Sequence, residues 1–505
     1  MAEARATTID VFEPHTRQLL EGRLQWEVLK FGTPLAVGMA AQVTFNLVDA
    51  YLIARLPQGV SGPAIGAMGI CDQLAAIGTI VSYGLSTATA AIVSRRNGAR
   101  DLDGLRKAGW QSMLLTLALS IAFGAAGVLF ARPIVTGLVG AKGAVATMAI
   151  SYLRVIVGGS FSIFFLLQLT SIMRALGSAK TPVAILVFGN ALNLLLAILL
   201  VYGQGERPAL VAWSLPLARL VHAPRMELEG AAWATIVARS IALVPAFVYL
   251  ASRRGNRVLR PRPAWRSPDR RELAAIWRIG WPSSTQFVIR MLGFVATTAL
   301  VAHAFTTDAD QTATTAYGLV FRVETMALFV SMGWGSAAQT FTGTCRGARL
   351  PRRAGWAGWW AAAYDVGAMA LLAFAMSLWA TPVLGFFCDE QRVLQIGREY
   401  LASVGPSYVT YGAAIVLGNA FSGAGETRTT LRLDLFVVGL VQIPLSILAV
   451  RLFPSQREPL WSAIATANAL SAVVYGVAYA RSRTFWPRGP IDELGEHTGD
   501  SSPPR

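Results

Sequence analysis

Charged side chains are scarce in this chain. Asp, Glu, Lys and Arg make up 14% of its 505 residues and hydrophobic residues 54%, where a soluble domain carries roughly 25% charged residues. That deficit excludes an ordinary water-soluble protein. Cysteine is scarcer still: Cys71, Cys345 and Cys388 are scattered and build neither a disulfide framework nor a metal spacing. His15, His222, His303 and His497 form no ligand pair. An HExxH helix, a GxSxG elbow and paired catalytic acids are all missing, which leaves a membrane enzyme without its parts. The glycine-rich pieces at 158–160 and 423–427 come with no strand and no phosphate-loop lysine, so they read as packing and turn elements. No enzyme activity, cofactor or metal is expected.

What the chain does carry is positive charge and long apolar runs. The net charge of +16 suggests nucleic acid until the arginines are placed. They sit in short loops between apolar runs, as topology determinants do, and no basic domain stands apart, so nucleic acid is not an expected partner. Apolar runs long enough to span a bilayer lie at roughly 31–54, 63–94, 107–130, 145–170, 182–203 and 229–251, then 276–303, 314–343, 355–380, 396–420, 432–452 and 459–480. Loops on the side of the N-terminus, tails included, hold about 30 of the 44 Lys and Arg, and opposite loops about 9. This bias places both termini in the cytoplasm and the loop at 204–228 outside. No small-residue cleavage site follows the first apolar run, so the N-terminal arm reads as retained.

The two sets of six runs repeat each other. Gly32 and Pro34 correspond to Gly280 and Pro282, 248 residues on, and the same offset pairs Tyr152 and Leu153 with Tyr400 and Leu401. It also pairs the turn RALGSAKTP (174–182) with SGAGETRTT (422–430) through Gly177 and Gly425. One residue of slippage aligns NGAR (97–100) with RGAR (346–349), and Gly69 with Gly318. Two homologous halves in one order point to a duplicated transporter. The expected fold is an all-α polytopic membrane protein, with twelve transmembrane helices in two six-helix bundles related by an internal repeat. Its parts are a cytoplasmic arm (1–30), a first bundle (31–252), a basic linker (253–275), a second bundle (276–482) and a disordered cytoplasmic tail (483–505). The Pro- and Arg-rich linker reads as a solvated loop drawn to anionic headgroups.

Polar residues inside the spans mark the candidate site. Gln42, Asn46 and Asp49 stand at i, i+4 and i+7 in the first span and share one helical face. A carboxylate in hydrocarbon is costly and usually faces a cavity or a partner, which makes Asp49 the candidate ion-coupling residue. Asn190 and Asn193 in the fifth span are cavity ligands or interhelical hydrogen bonders. In the seventh span Gln286 and Arg290 share a face, and Arg290 is the repeat partner of Gln42. Arg290 either faces the central cleft or is locked in an ion pair with Glu324, itself a cavity candidate. Asp72, Arg154, Arg239, Asp365, Arg398 and Glu399 lie nearer span ends, where snorkelling accounts for them.

With the repeat, the spans and the segment NLVDAYLIARL in view, the chain resembles the multidrug and toxic-compound extrusion (MATE) family, part of a wider superfamily that includes lipid and polysaccharide flippases. The likeness rests on Gly32 and Pro34, Asp49, the turns SRRNGARD and RALGSAKTP, Asn193 in NALNLLLAILLVYG, and the eighth-span segment AYGLVFRVETMALF. It covers about residues 25–485. The resemblance implies two six-helix bundles around a central cleft, and export of organic, often cationic, compounds driven by inward sodium or proton movement. It also implies that Asp49 is the coupling acid. Two positions depart from the family pattern: Arg290 stands where many members have an acid, and Ala197 where others have an acid or Asn.

The expected function is a cation-coupled antiporter exporting small amphiphilic compounds across the plasma membrane, a bacterial inner membrane, as a monomer. The alternative is a flippase for a lipid-linked precursor or polysaccharide, since a buried guanidinium suits phosphate or carboxylate. Protons are favoured over sodium, because one carboxylate with neutral neighbours is a thin ligand set for a hard cation. If Arg290 and Asp49 both face the cleft, substrates should carry an anionic group.

Overall fold

The computed structural model describes residues 14–57, 59–260, 262–307, 310, 312–385 and 390–487. Residues 1–13, Cys388, His497 and the tail after 487 lie outside the described residues, as do the side chains of His15, Asn46 and Arg322. In hydrocarbon every backbone polar group must be satisfied within its own segment, so apolar runs become helices. Twelve long ones follow in order: α1 (Leu24–Ala54), α2 (Ser61–Gly98), α3 (Leu102–Leu138), α4 (Gly143–Ala175), α5 (Lys180–Tyr202), α6 (Glu227–Ala251), α7 (Arg270–Phe305), α8 (Thr312–Gly347), α9 (Pro351–Gly385), α10 (Gln391–Gly423), α11 (Thr427–Leu452) and α12 (Glu458–Arg481). From α2 onwards all are long and apolar enough to cross a membrane, and α1 holds the 31–54 run. Among the described residues there is no strand. Several helices overshoot their apolar runs. The 38 residues of α2 reach about 57 Å at ~1.5 Å per residue, well beyond a hydrocarbon core of about 30 Å.

The repeat is written into the backbone as well as the sequence. Gly177 and Gly425, just past the ends of α4 and α10, adopt φ of +88° and +86°, a left-handed turn that glycine enters without steric cost. Arg100 and Arg349 are both left-handed at the matched turns after α2 and α8, with φ of 62° and 59°. α3 is distorted from Pro133, and α9 kinks at Trp379, one turn before the matching Pro382.

The halves meet at the end of the bundle that carries the arginine-rich turns. There a Cβ on Gly98 would strike the Thr344 carbonyl, one on Gly347 the Arg95 carbonyl, and one on Gly343 the Ser94 side chain. Glycine thus lets α2 and α8 touch backbone to backbone. Gln339 donates to the Thr87 carbonyl at 3.0 Å, and Arg96 pairs with Glu272 at 2.9 Å. At the opposite end of the same two helices, Gly69 and its repeat partner Gly318 face open space. At the arginine-rich end the two halves are therefore closed against each other. A short helix, Pro14–Glu21, lies across the closed end. Asn97 donates to Thr16 at 3.1 Å, and Arg353 donates to the Gly22 carbonyl at 2.6 Å and the Leu19 carbonyl at 3.1 Å.

The linker between the halves is not the loose solvated loop expected from its composition. Gln111 of α3, fully buried, donates to the Trp265 and Ser267 carbonyls at 3.0 and 2.8 Å and accepts from the Asp269 backbone N–H. Lys107 pairs with Asp269 at 2.5 Å, and Arg262 with Asp103 at 2.9 Å. The hydrogen bond from Lys107, helped by the Arg271 backbone N–H that Asp269 caps, holds the Asp269 carboxyl below the usual carboxylate range. One buried amide on α3 satisfies three linker backbone groups, and composition carries no trace of that.

Candidate functional site

Two polar clusters lie inside the bundle. The first joins α1 to α5. Asn190 donates to Gln42 at 3.1 Å, and Asn193 donates to Asp49 Oδ2 at 2.8 Å. The residues singled out on the first and fifth spans are therefore brought together, and both asparagines bond between helices. The bonding is incomplete: Asp49 Oδ1 and Asn193 Oδ1 are buried with no hydrogen-bond partner. Leaving a buried acceptor unmade costs about 1–3 kcal/mol, so these two oxygens are the unsatisfied acceptors of the α1–α5 cluster. Arg239 is half-buried at the middle of α6, not near a span end, so snorkelling does not describe it. The Asn46 side chain lies outside the described residues.

The second cluster lines a pocket in the second half, reached also by Tyr83 and Thr87 of α2. Tyr83 donates across the halves to Asn419 at 3.4 Å. Gln286, Arg290 and Glu324 all line it, as expected for cavity residues, but the expected ion pair is corrected. Arg290 pairs with Asp434 of α11, through Nε at 2.7 Å and a second guanidinium nitrogen at 3.3 Å, and not with Glu324. Tyr475 donates to Asp434 at 2.7 Å, and Gln286 donates to the Tyr475 hydroxyl at 3.2 Å. Glu324 accepts one long bond, from Tyr400 at 3.4 Å. Its surroundings are aromatic: Phe294 stacks on Phe321 at 3.7 Å and on Tyr317 at 5.5 Å, and Tyr400 meets Trp461 edge-on at 4.8 Å.

Sequence reasoning missed Asp434. Hydropathy puts it two residues inside the eleventh span, where an acid passes for a headgroup-level residue. The available signal was its place in LRLDLFVV, an acid immediately before an unbroken apolar run. Asp365 is a second correction. It does not snorkel: it is 0% exposed in α9, accepts from Ser331 of α8 at 3.1 Å, and keeps one oxygen without a partner. Of the remaining span-end charges, Arg154 and Arg398 are exposed and Glu399 pairs with Arg457 at 3.2 Å. The corrected pairing also changes the charge of the pocket. Arg290 brings its own counter-acid, so it is not a free positive pole, and Glu324 is left as the uncompensated group. The expectation of an anion-bearing substrate loses its basis, and with it the argument for a lipid-linked precursor.

Comparison with known proteins bears on the fold and the family. The MatE family model matches the chain twice, over residues 34–199 and 282–448, so the second match begins 248 residues after the first. A probable multidrug resistance protein of Bacillus subtilis, YpnP, is 24% identical over 430 residues, covering 85% of this chain and 89% of its own. A FAD transporter of Shewanella oneidensis is 23% identical over 434 residues, with 85% and 89% covered. Among solved structures, a multidrug resistance MATE family transporter in an outward-facing conformation superposes with a TM-score of 0.81, at 21% identity over 93% of this chain and 98% of that one.

Proposed function

The chain belongs to the MatE family, and from that premise we propose that this multi-pass membrane transporter is a cation-coupled antiporter, exporting small amphiphilic organic compounds by alternating access. The observation that carries the proposal is Asp49, a half-buried carboxylate near the end of α1 with one oxygen bonded to Asn193 and the other buried and unpartnered. A group held in that state has a reason to bind and release a small cation. Protons serve better than sodium. A proton needs one oxygen, whereas a hard cation wants about six oxygen ligands, and the α1–α5 cluster offers few. The relatives named for multidrug resistance and for FAD differ widely in cargo, so the cargo is read from this chain's own pocket. Stacked aromatic rings around Glu324 suit a flat amphiphile with a cationic group, taken up as a monomeric transporter's small-molecule substrate.

The test is reconstitution in liposomes with a fluorescent amphiphilic dye of the acridine or rhodamine type. A pH gradient alone should drive concentrative dye movement. Movement driven by a sodium gradient at constant pH and zero membrane potential, with no response to pH, would overturn proton coupling while leaving antiport standing.

The asymmetry of Lys and Arg orients the arginine-rich end, and both termini, toward the cytoplasm. On that orientation the end at which α2 and α8 touch backbone to backbone faces the cytoplasm. Cysteine placed at Leu215, on a background lacking Cys71, Cys345 and Cys388, should react with an impermeant maleimide in intact cells. Protection of that probe would reverse the orientation.

A further inference from the structure

Away from the cleft, a groove of about 710 Å³ runs between α5 and the end of α6, within the ~300–1,000 Å³ typical of small-molecule sites. Its chemistry is split along its length. Ile185 and Phe188 of α5 and Pro245 and Val248 of α6 form an apolar trough. Phe188 is 49% exposed and Val248 64% exposed, so no described element covers them. The mouth, at the arginine-rich end, is formed by Thr181, Arg253 and Arg254. Arg262 and Arg96 are committed to Asp103 and Glu272, whereas Arg253 and Arg254 are exposed and have no acidic partner among the described residues. Thr181 accepts a hydrogen bond from Ser178 at 3.0 Å, which leaves its own hydroxyl hydrogen free for an anion. It also sits in the first turn of α5, where backbone N–H groups and the helix dipole favour negative charge.

We propose that this groove is a binding site for an anionic phospholipid, with its phosphate on Arg253, Arg254 and the Thr181 hydroxyl and an acyl chain in the trough between α5 and α6. The two halves of the ligand match the two halves of the groove. A basic mouth at headgroup level next to an uncovered apolar trough suits a lipid better than a free anion, which would leave the trough unfilled. Net charge decides among lipids: a zwitterionic headgroup presents its own cation to the two arginines, while phosphatidylglycerol does not.

Native mass spectrometry of the full-length protein, released from mixed phosphatidylglycerol and phosphatidylcholine micelles, tests the site directly. The wild type should retain phosphatidylglycerol preferentially. Arg253→Gln with Arg254→Gln should lower that preference about thirtyfold, from two basic residues near an anionic surface, and Arg253→Lys with Arg254→Lys should keep most of it. Val248→Trp, which fills the trough and touches no charge, should reduce retention of both lipids. An unchanged lipid ratio in the double Gln variant overturns the proposal. So does displacement of the lipid by added inorganic phosphate, which would make this a simple anion site. Retention is read on the resting protein, so it stands or falls independently of export and of the coupling ion.

Discussion

Asp434→Ala should destabilise the protein by about 3–5 kcal/mol, the usual cost of removing one partner from a buried ion pair. The side chains of Arg290 and Asp434 are only 16% and 5% exposed, so little water is at hand to take over the abandoned guanidinium. Alanine would leave Arg290 charged among Gln286, Tyr411 and the aromatic wall, while Tyr475 keeps its second acceptor, the Thr430 carbonyl at 3.1 Å. The loss should appear as a lower midpoint of thermal and denaturant unfolding in detergent. Replacing both members by apolar residues of similar size, Arg290→Met with Asp434→Leu, should restore most of the stability, because the pair's attraction largely offsets its own desolvation. Glu324→Gln is the discriminating control. Glu324 takes a single long bond from Tyr400, so its neutralisation should cost far less than Asp434→Ala. Equal losses from the two variants would show that Arg290 depends on Glu324 after all.

Asp49→Asn should reduce gradient-driven export to background while leaving the protein folded. Asparagine is nearly isosteric with aspartate, and the Gln42–Asn190 bond that also ties α1 to α5 is untouched. The amide can neither gain a proton nor hold a charge, so the coupling step is lost even though the cleft and the aromatic pocket remain. Purified Asp49→Asn should therefore bind the dye about as well as the wild type and fail only at concentrative transport. Normal dye accumulation by the variant in inverted vesicles under a pH gradient would reduce Asp49 to a structural residue. Asn193→Leu offers a graded companion. It removes the donor to Asp49 Oδ2 and keeps the carboxyl, so it should change the pH dependence of transport and not abolish it.

The sequence alone determined whatever depends on neighbours along the chain. Spans are readable because burying a backbone in lipid demands long apolar helices, and the twelve runs became α1 to α12. The repeat is readable because duplicated turns need the same residues: Gly177 and Gly425 share a left-handed φ, as do Arg100 and Arg349. A helical face is a local property too, so Gln42 with Asp49, and Gln286 with Arg290, could be grouped before any coordinates. Tertiary structure alone decided which faces meet. Arg290 and Asp434 stand 144 residues apart, and nothing in helical periodicity says that α7 lies against α11. Asp365 looks peripheral in the sequence, and only the packing of α8, α9 and α10 seals it from water. The docking of the linker on Gln111, and the closure of one end of the cleft through Gly98 and Gly347, have the same origin. Hydropathy measures what a residue prefers as its surroundings, while partners are fixed by the three-dimensional packing of helices that the chain reaches only after folding.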